Sequence, residues 1–357
     1  MMRKRQIMFN IILILVFLVT IGSINIFAVQ KPIELKFACY DNPTGLAGFH
    51  YKTMKEEIEK NTDGQVIIKI YWSSSLLKGA EMLRGVADGI TDMGQMNPNY
   101  YPNQLAMNGA YAIIPAGPDA YKYKSWVFET GIERIPEMRA EWTNNNQIPL
   151  YTWVLLPKVA TSTKPIASLE DFKGLKMRAA SRWLLEMLGG AGATPVSVPW
   201  SDCYMALQTG TIDSVLTNLD GIHNTKLDEI GKHIYLCPQI WNSSAFTLTI
   251  NTDRWNSIPE DIQEKIKEAL DKVSALYGEA YDKDWDRIVK EQEEMGCVIN
   301  KMTTEDAETW GNLPIREEIE AKWIKETEER GVENPGKILE AIKEIVQEGI
   351  AREINAQ

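Results

Sequence analysis

Arg178 has the position and the chemistry to bind an anion. It lies in a short predicted strand, Lys176–Ala180, that leads directly into a predicted helix. Ligands of open α/β sheets bind beyond the carboxyl ends of strands, which is where this side chain would lie. A guanidinium holds a carboxylate through two parallel hydrogen bonds and does not lose its charge. Arg178 is therefore the first candidate to hold a carboxylate, although the pattern alone favours the alternative of an exposed arginine in a surface ion pair.

The sequence contains little that indicates catalysis or a metal centre. GxSxG is absent, and neither HExxH nor another metal-ligand spacing is formed by the three histidines, which are His50, His223 and His233. The segment Gly190-Ala191-Gly192 begins like a dinucleotide loop, but Pro195 occupies the third glycine position. We therefore expect neither a cofactor nor a metal ion.

Four cysteines are spread widely along the chain, at Cys39, Cys203, Cys237 and Cys297. They form no CxxC pair, which argues against a metal site built from thiolates. An exported protein forms disulfides where thiols meet. The spacing does not pair these four, so disulfides and free buried thiols both stay open.

Further candidates for a binding site follow the ends of predicted strands. Tyr40 and Asn42 follow the first strand, and Asn97 follows the third. Side chains at such positions meet at one edge of a sheet, where a ligand of an α/β protein binds. We therefore expect these three residues to contact the ligand.

Several of the eleven tryptophans lie near strand ends or crossovers. Trp72 ends the second strand, Trp153 lies on a predicted crossover between the two halves, and Trp241 precedes the return strand. Together with Trp200 they could wall a cavity for an acid with an apolar or aromatic body, because such pockets are mostly apolar with few polar anchors. The alternative for each tryptophan is ordinary packing in the core or at the surface.

Strands and helices alternate in two separate stretches of the chain. The first has strands at 34–39, 66–72 and 92–96 with helices at 44–60 and 79–88. The second has strands at 176–180, 194–198 and 212–216 with helices at 181–188 and 201–209. Such alternation predicts a largely parallel sheet with helices on its faces. Two α/β units in one chain predict two lobes with a cleft between them.

One long helical segment is expected to connect the lobes. From Pro259 to about Glu294 the apolar residues keep helical spacing, and Gly278 is the one interruption. At 1.5 Å per residue this segment measures roughly 54 Å, whereas one small domain measures about 30 Å. A continuous helix must therefore run along both lobes, and a break near Gly278 is the alternative.

The first 28 residues have the order of a secretory signal: a basic start, an apolar run at 7–21, and a small residue, Ala28, at the expected cut. An uncleaved membrane anchor is the alternative. The remaining chain of about 329 residues is long enough for two domains. Its net charge falls from −11 to −14 once the signal's three positive charges are removed. Such a chain has no electrostatic basis for binding nucleic acid or an acidic membrane.

Ser168–Arg178, with the sequence SLEDFKGLKMR, resembles the signature of TRAP-type (tripartite ATP-independent periplasmic) solute-binding proteins of the dicarboxylate-binding class. The segments Gly192–Pro195, Tyr204–Gly210 and Ile212-Asp213 are similar to the same family. The likeness extends over roughly residues 33 to 300, and it is most specific between Gly174 and Gly210.

The resemblance implies a periplasmic-binding-protein-like α/β fold that closes around an organic acid, with Arg178 as the carboxylate clamp. It implies a periplasmic binding protein, not an enzyme, that delivers its ligand to the small and large membrane subunits of an ion-gradient-driven permease. Lys158 stands where the family often has a second arginine. Thr217 stands where a ligand-contacting asparagine is usual, with Asn218 beside it.

The expected ligand is a mono- or dicarboxylate with an apolar or aromatic portion. The first lobe is expected at 29–152 plus about 247–300, including the bridging helix, and the second at 153–246. Residues 301–357 are expected to form helices packed on a lobe. Two alternatives act on the same kind of ligand: a sensory binding protein, and an exported enzyme that uses Asp41, Asp213 or a histidine as its base.

Overall fold

The computed structural model describes residues 31–241 and 245–356, so the predicted signal at 1–28 lies outside the described residues. The strands are β1 (Ile33–Ala38), β2 (Val66–Tyr71), β3 (Met93–Met96), β4 (Gln147–Val154), β5 (Lys158–Ser162), β6 (Lys176–Arg178), β7 (Thr194–Val196), β8 (Ser214–Asn218), β9 (His233–Leu236), β10 (Ala245–Asn251) and β11 (Val298–Lys301). The helices are α1 (Gly45–Asn61), α2 (Met82–Ala87), α3 (Tyr121–Arg134), α4 (Pro136–Asn144), α5 (Arg182–Gly190), α6 (Cys203–Gln208), α7 (Leu219–Asn224), α8 (Leu227–Ile230), α9 (Thr252–Asn256), α10 (Glu260–Glu294), α11 (Thr304–Gly311), α12 (Ile315–Glu329) and α13 (Pro335–Ile354).

The first lobe is built on a five-stranded sheet with the order β2-β1-β3-β10-β4. Strand β1 runs parallel to β2 and β3, because α1 and α2 carry the chain back across the sheet between them. Strand β10 is antiparallel to both β3 and β4. The sheet is therefore mixed, not largely parallel as predicted. The physical reason is that β4 leaves this lobe at the cleft, and β10 returns at the same edge in the opposite direction.

The second lobe is built on a six-stranded sheet with the order β11-β9-β5-β8-β6-β7. Strand β6 is parallel to β7 and β8, as the βα alternation predicts. Strand β5 is antiparallel to β8 and β9, since it enters directly from the first lobe. Strand β11, which follows the long helix, pairs with β9 in this second sheet.

Helix α10 is continuous over 35 residues and passes through Gly278 without a break. Its length of roughly 53 Å follows from 1.5 Å per residue. It begins after β10 of the first lobe and leads into β11 of the second, so it bridges both lobes as predicted. A Cβ atom at Gly278 would lie 2.8 Å from a ring carbon of Tyr121, which explains the absence of a side chain at this point.

The C-terminal helices contact segments of both lobes. Helix α13 packs against α3, where Arg134 and Glu348 form an ion pair of 2.7 Å. Helix α12 packs against α5, where Lys322 lies 2.8 Å from Glu186. The tail thus forms a second connection between the lobes beside α10.

Within the described ranges, no helix combines the length and the apolar character that a membrane crossing requires. The cysteines are free thiols, three of them buried and Cys297 half-buried.

Candidate functional site

A cavity of about 650 Å³ lies between the two lobes. The first lobe lines it with residues that follow β1 and β3, and the second lobe lines it with residues that follow β6 and β8. Both sheets therefore present their strand ends to the same space, as expected for a ligand site in an α/β protein. Six of the ten residues predicted for the site line this cavity, namely Tyr40, Asn42, Asn97, Arg178, Thr217 and Asn218.

Arg178 is the last residue of β6, and its side chain lies in the cavity wall. The residue is only 2 % exposed. Its Nε donates a hydrogen bond to the Val198 carbonyl oxygen at 3.0 Å, and its guanidinium lies 5.4 Å from the centre of the Trp200 ring. Within the described residues, no carboxylate forms an ion pair with it. A buried cation without an anionic partner is costly, so the site is suited to receive an anion.

Arg182, one turn later in the chain, shows the contrast. Its two terminal nitrogens each lie 2.9 Å from a carboxylate oxygen of Glu326. This arginine also lines the cavity, but its charge is already neutralised by a bidentate ion pair. Of the two arginines, Arg178 is therefore the one available to a carboxylate ligand.

The end of β8 supplies a chain of polar side chains beside Arg178. The Thr217 hydroxyl donates to the Asn218 side-chain oxygen at 3.0 Å, and the Asn218 amide donates to the Asp220 carboxylate. Thr217, Asn218 and Asp220 all line the cavity and are at least nine-tenths buried. The hydrogen bonds fix these side chains in place before any ligand arrives.

Lys158 is buried on β5 and is not among the residues that line the cavity. Its backbone lies opposite Asn218 in the β5–β8 ladder. Burial lowers the pKa of Lys158 to about 8, and the nearby Asp220 charge opposes this shift while the Arg178 charge adds to it. Lys158 therefore contributes positive charge near the site without forming part of the cavity surface.

The first lobe contributes Tyr40, Asn42 and Asn97. The Tyr40 ring lies 5.8 Å from the rings of both Tyr100 and Phe246. The Asn42 amide donates to the carbonyl oxygen of Asn224 in the second lobe, at 3.4 Å. Asn97 accepts a hydrogen bond from the backbone N–H two residues later, at 3.0 Å, and so shapes the turn that carries Tyr100.

Three predicted tryptophans lie outside the cavity and pack in the first lobe. Trp153 is 2 % exposed and stacks on Tyr151 with ring centres 5.6 Å apart. Trp241 donates from its indole nitrogen to the Pro118 carbonyl oxygen at 2.8 Å. Trp72 lies 5.8 Å from the Tyr51 ring. Strand position alone did not indicate the direction of these side chains.

The cavity nevertheless has an aromatic wall. Trp200, which was expected there, lines it, and four further aromatic residues do so as well: Tyr40, Tyr100, Tyr204 and Phe246. Tyr100, Tyr204 and Phe246 were missed as site residues in the sequence analysis. The available signals were that Tyr100 closes the turn after β3 and that Phe246 lies near the start of the return strand β10.

Two carboxylates also line the cavity, one from each lobe: Asp41 and Asp220. Removal of water raises the pKa of Asp41 to about 6, although hydrogen bonds from Gln95 and Tyr51 oppose this shift. Burial likewise raises the pKa of Asp220 to about 7, and the Asp41 charge adds to the shift. A cation bound beside either carboxylate would favour its charged form.

The other residues considered as catalytic bases lie elsewhere. Asp213 accepts from the Lys176 backbone N–H at 2.9 Å and pairs with Lys164 at 3.1 Å, so it anchors β6. None of the three histidines is among the residues that line the cavity. In residues 31–241 and 245–356, no group of three potential metal ligands comes together.

Comparison with known proteins agrees with this geometry. Residues 41–329 match the family model of bacterial extracellular solute-binding protein, family 7 (DctP). The C4-dicarboxylate-binding periplasmic protein DctP of Rhodobacter capsulatus is 23 % identical over 318 residues, which cover 85 % of this chain and 92 % of that protein.

Two solved structures have the same fold. A TRAP solute-binding protein of Rhodoferax ferrireducens T118, in complex with copurified benzoate, superimposes with a TM-score of 0.78 at 19 % identity, covering 89 % of this chain and 98 % of that one. A marine metagenome TRAP solute-binding protein from an unidentified microbe, specific for aromatic acid ligands, gives a TM-score of 0.77 at 21 % identity, covering 89 % and 99 %. Because the family model matches most of the chain, this protein belongs to the family 7 bacterial extracellular solute-binding proteins.

Proposed function

We propose that the carboxylate of a small organic acid binds to Arg178 in the interlobe cavity, and that the loaded protein delivers this acid to a TRAP permease of small and large membrane subunits. As a family member, the chain is an extracytoplasmic substrate-binding component of transport and not an enzyme. The observation that carries the assignment to Arg178 is its burial at the cavity wall without a carboxylate partner among the described residues.

The body of the ligand is proposed to lie against the aromatic wall. Tyr40, Tyr100 and Phe246 form one contiguous set of rings, and Trp200 lies beside the guanidinium. Buried aromatic surface favours an apolar or aromatic portion of the ligand. The ligands named for the relatives, C4-dicarboxylates and benzoate, differ in size and shape but share a carboxylate. This common group supports the role proposed for Arg178.

Location in the periplasm is proposed from two independent features. The family is typically extracytoplasmic. The basic start and apolar run of residues 1–28 have the order of a signal that is removed on export, with a cut near Ala28. N-terminal sequencing of the protein recovered from the periplasmic fraction tests this cut directly.

Calorimetry on Arg178 variants tests the proposed clamp. The ligand is first identified by mass spectrometry of the small molecule released from natively purified protein. Arg178→Ala is expected to weaken binding of that acid by about 2–5 kcal/mol, because a charged hydrogen-bonding partner is lost from a buried site. Arg178→Lys should also bind weakly, since an ammonium lacks the planar fork that matches a carboxylate.

Arg84→Ala is the matched control, because the Arg84 side chain is 87 % exposed and its ion-pair partner is Asp88, which directly follows its helix. This variant removes the same charge and should bind the ligand with unchanged affinity. Unchanged affinity of Arg178→Ala, with the fold verified by circular dichroism, would exclude Arg178 from the site.

A further inference from the structure

The cavity proposed to receive a carboxylate is also lined by two acidic side chains. Asp41 comes from the first lobe and Asp220 from the second, and both line the same space as Arg178. Two carboxylates would repel a ligand that carries only negative charge. Their presence therefore limits which anions the cavity can accept. A positively charged group on the ligand would compensate the negative charges of the two acids.

Asp41 is oriented with one oxygen left over. The Tyr51 hydroxyl donates to its Oδ2 at 3.2 Å, and the Gln95 amide donates to the same oxygen at 2.7 Å. The Gln95 amide is itself oriented, because its oxygen accepts the Tyr40 backbone N–H at 3.2 Å. In the described part of the chain, no donor reaches Oδ1 of Asp41. The carboxylate is thus held rigidly with one acceptor unused.

Asp220 in the second lobe is also held in place by a side-chain hydrogen bond. It lies in the first turn of α7, is 2 % exposed, and accepts the Asn218 amide on Oδ1. A backbone hydrogen bond within Asp220 also favours the charged carboxylate, and the Asp220 charge acts on the nearby Lys158. Asp41 and Asp220 are close enough for the charge of one to disfavour ionisation of the other.

The aromatic wall is a third feature that favours a cation in the cavity. Tyr40, which adjoins Asp41 in the chain, is 8 % exposed, and its hydroxyl has no hydrogen-bond partner in the described residues. The neighbouring rings of Tyr100 and Phe246 are tilted or edge-on to it. Faces of aromatic rings attract cations, in particular quaternary and alkylated ammonium groups.

We propose that the ligand is a zwitterion: a small carboxylate with a positively charged nitrogen, whose carboxylate binds Arg178 and whose nitrogen lies between Asp41 and Asp220 against the aromatic wall. This inference rests on the proposed function, since it uses the same cavity and the same clamp. The cationic nitrogen offsets the acidic pair, which contains one residue from each lobe, so it also favours the closed arrangement. A second carboxylate at that position would meet two like charges, so a dicarboxylate binds less well than a zwitterion of equal size.

Matched pairs of carboxylates test the inference directly. Glycine betaine and 3,3-dimethylbutyrate have nearly the same shape, but only the first carries a cationic nitrogen. Proline and cyclopentanecarboxylate form a cyclic pair of the same kind, and glutarate represents dicarboxylates. Thermal shift and calorimetry are carried out on the full protein after exhaustive dialysis. In at least one pair, the zwitterion is expected to bind about tenfold more tightly than the matched carboxylate without the cationic nitrogen, and more tightly than glutarate.

Substitution of the acids supplies the second measurement. Asp41→Asn and Asp220→Asn keep the side-chain shape and remove the charge. Each should weaken binding of the zwitterion about tenfold or more, while the affinity for the matched carboxylate without the cationic nitrogen stays unchanged or increases. Asp63→Asn is the control, because this exposed acid lies outside the cavity and pairs with Lys265. Two acidic variants are used so that a folding defect in one does not decide the result.

The outcomes separate the inference from the proposed function. The inference is overturned if no zwitterion stabilises the protein, if both members of each pair bind equally, or if the Asp→Asn variants weaken both members alike. Binding of plain carboxylates that is lost in Arg178→Ala would then leave the proposed function intact. Tight zwitterion binding that survives Arg178→Ala would instead remove the carboxylate clamp.

Discussion

His50 makes the stability of the protein depend on pH in a way that can be calculated. The residue is completely buried on α1, and neither ring nitrogen has a hydrogen-bond partner in the described residues. Four aromatic rings surround it, with centres 4.6 to 5.6 Å away, and they belong to Tyr51, Tyr151, Trp153 and Tyr277. Loss of water lowers the pKa of His50 from 6.5 to about 3.

The sign follows from the lowered pKa. The unfolded chain binds a proton at His50 below about pH 6.5, whereas the folded protein does not bind it until about pH 3. Between these two pH values the unfolded chain carries one more proton than the folded protein. The free energy of unfolding therefore decreases by about 1.4 kcal/mol for each unit by which the pH is lowered. Between about pH 7 and pH 4.5 the loss from His50 alone is about 2.5 kcal/mol.

His50→Leu removes the titrating group and keeps a buried side chain of similar volume. Urea unfolding of both proteins at several pH values gives the difference in their free energies of unfolding. That difference should shift in favour of the variant by about 2.5 kcal/mol between about pH 7 and pH 4.5. Acidic residues with raised pKa values, such as Glu141, contribute equally to the pH dependence of both proteins, so their contribution cancels in the difference. A difference that stays constant over this range would refute the assignment of a dry, neutral imidazole.

Other parts of the molecule give three further predictions. The hydrogen bond that His223 donates to the Asp228 carboxylate raises the pKa of His223, so the charged imidazole stabilises the fold below that pKa, and this contribution is lost as pH rises. His223→Gln should therefore destabilise the protein more at about pH 6 than at about pH 9, and an equal loss in urea unfolding at both would contradict this. Gly278→Ala places a Cβ 2.8 Å from the Tyr121 ring and should lower the free energy of unfolding by about 1–3 kcal/mol in urea unfolding. Gly311→Ala is the control, because nothing lies within 4 Å of its added Cβ and no destabilisation by overpacking is expected. Ligand binding should close the lobes about the crossovers that follow β4 and precede β10, so small-angle scattering should show a smaller radius of gyration with saturating ligand, and an unchanged radius would argue against closure.

The residues that line the proposed carboxylate site were predicted in part from the sequence. Arg178 was the first candidate because a strand followed at once by a helix places its last residue at a ligand-binding edge, and the family resemblance implied its role as the carboxylate clamp. The same rule placed Tyr40, Asn42 and Asn97, all of which line the cavity. Trp153 and Trp241 were expected there and are packed in the core instead, because the direction of a side chain depends on the surface its strand or loop is packed against.

What the sequence determined by itself is local and periodic. The alternation of strands and helices, the two lobes and the long helical segment at 259–294 follow from apolar spacing and from the chain length that a single core can fill. The continuity of α10 through Gly278 was established by the structure. What only the tertiary structure decided is which distant segments meet. Asp41 and Asp220 are 179 positions apart in the chain and belong to different lobes, yet they line one cavity. No spacing within either segment carries that information, because their proximity results from two separately packed sheets facing each other.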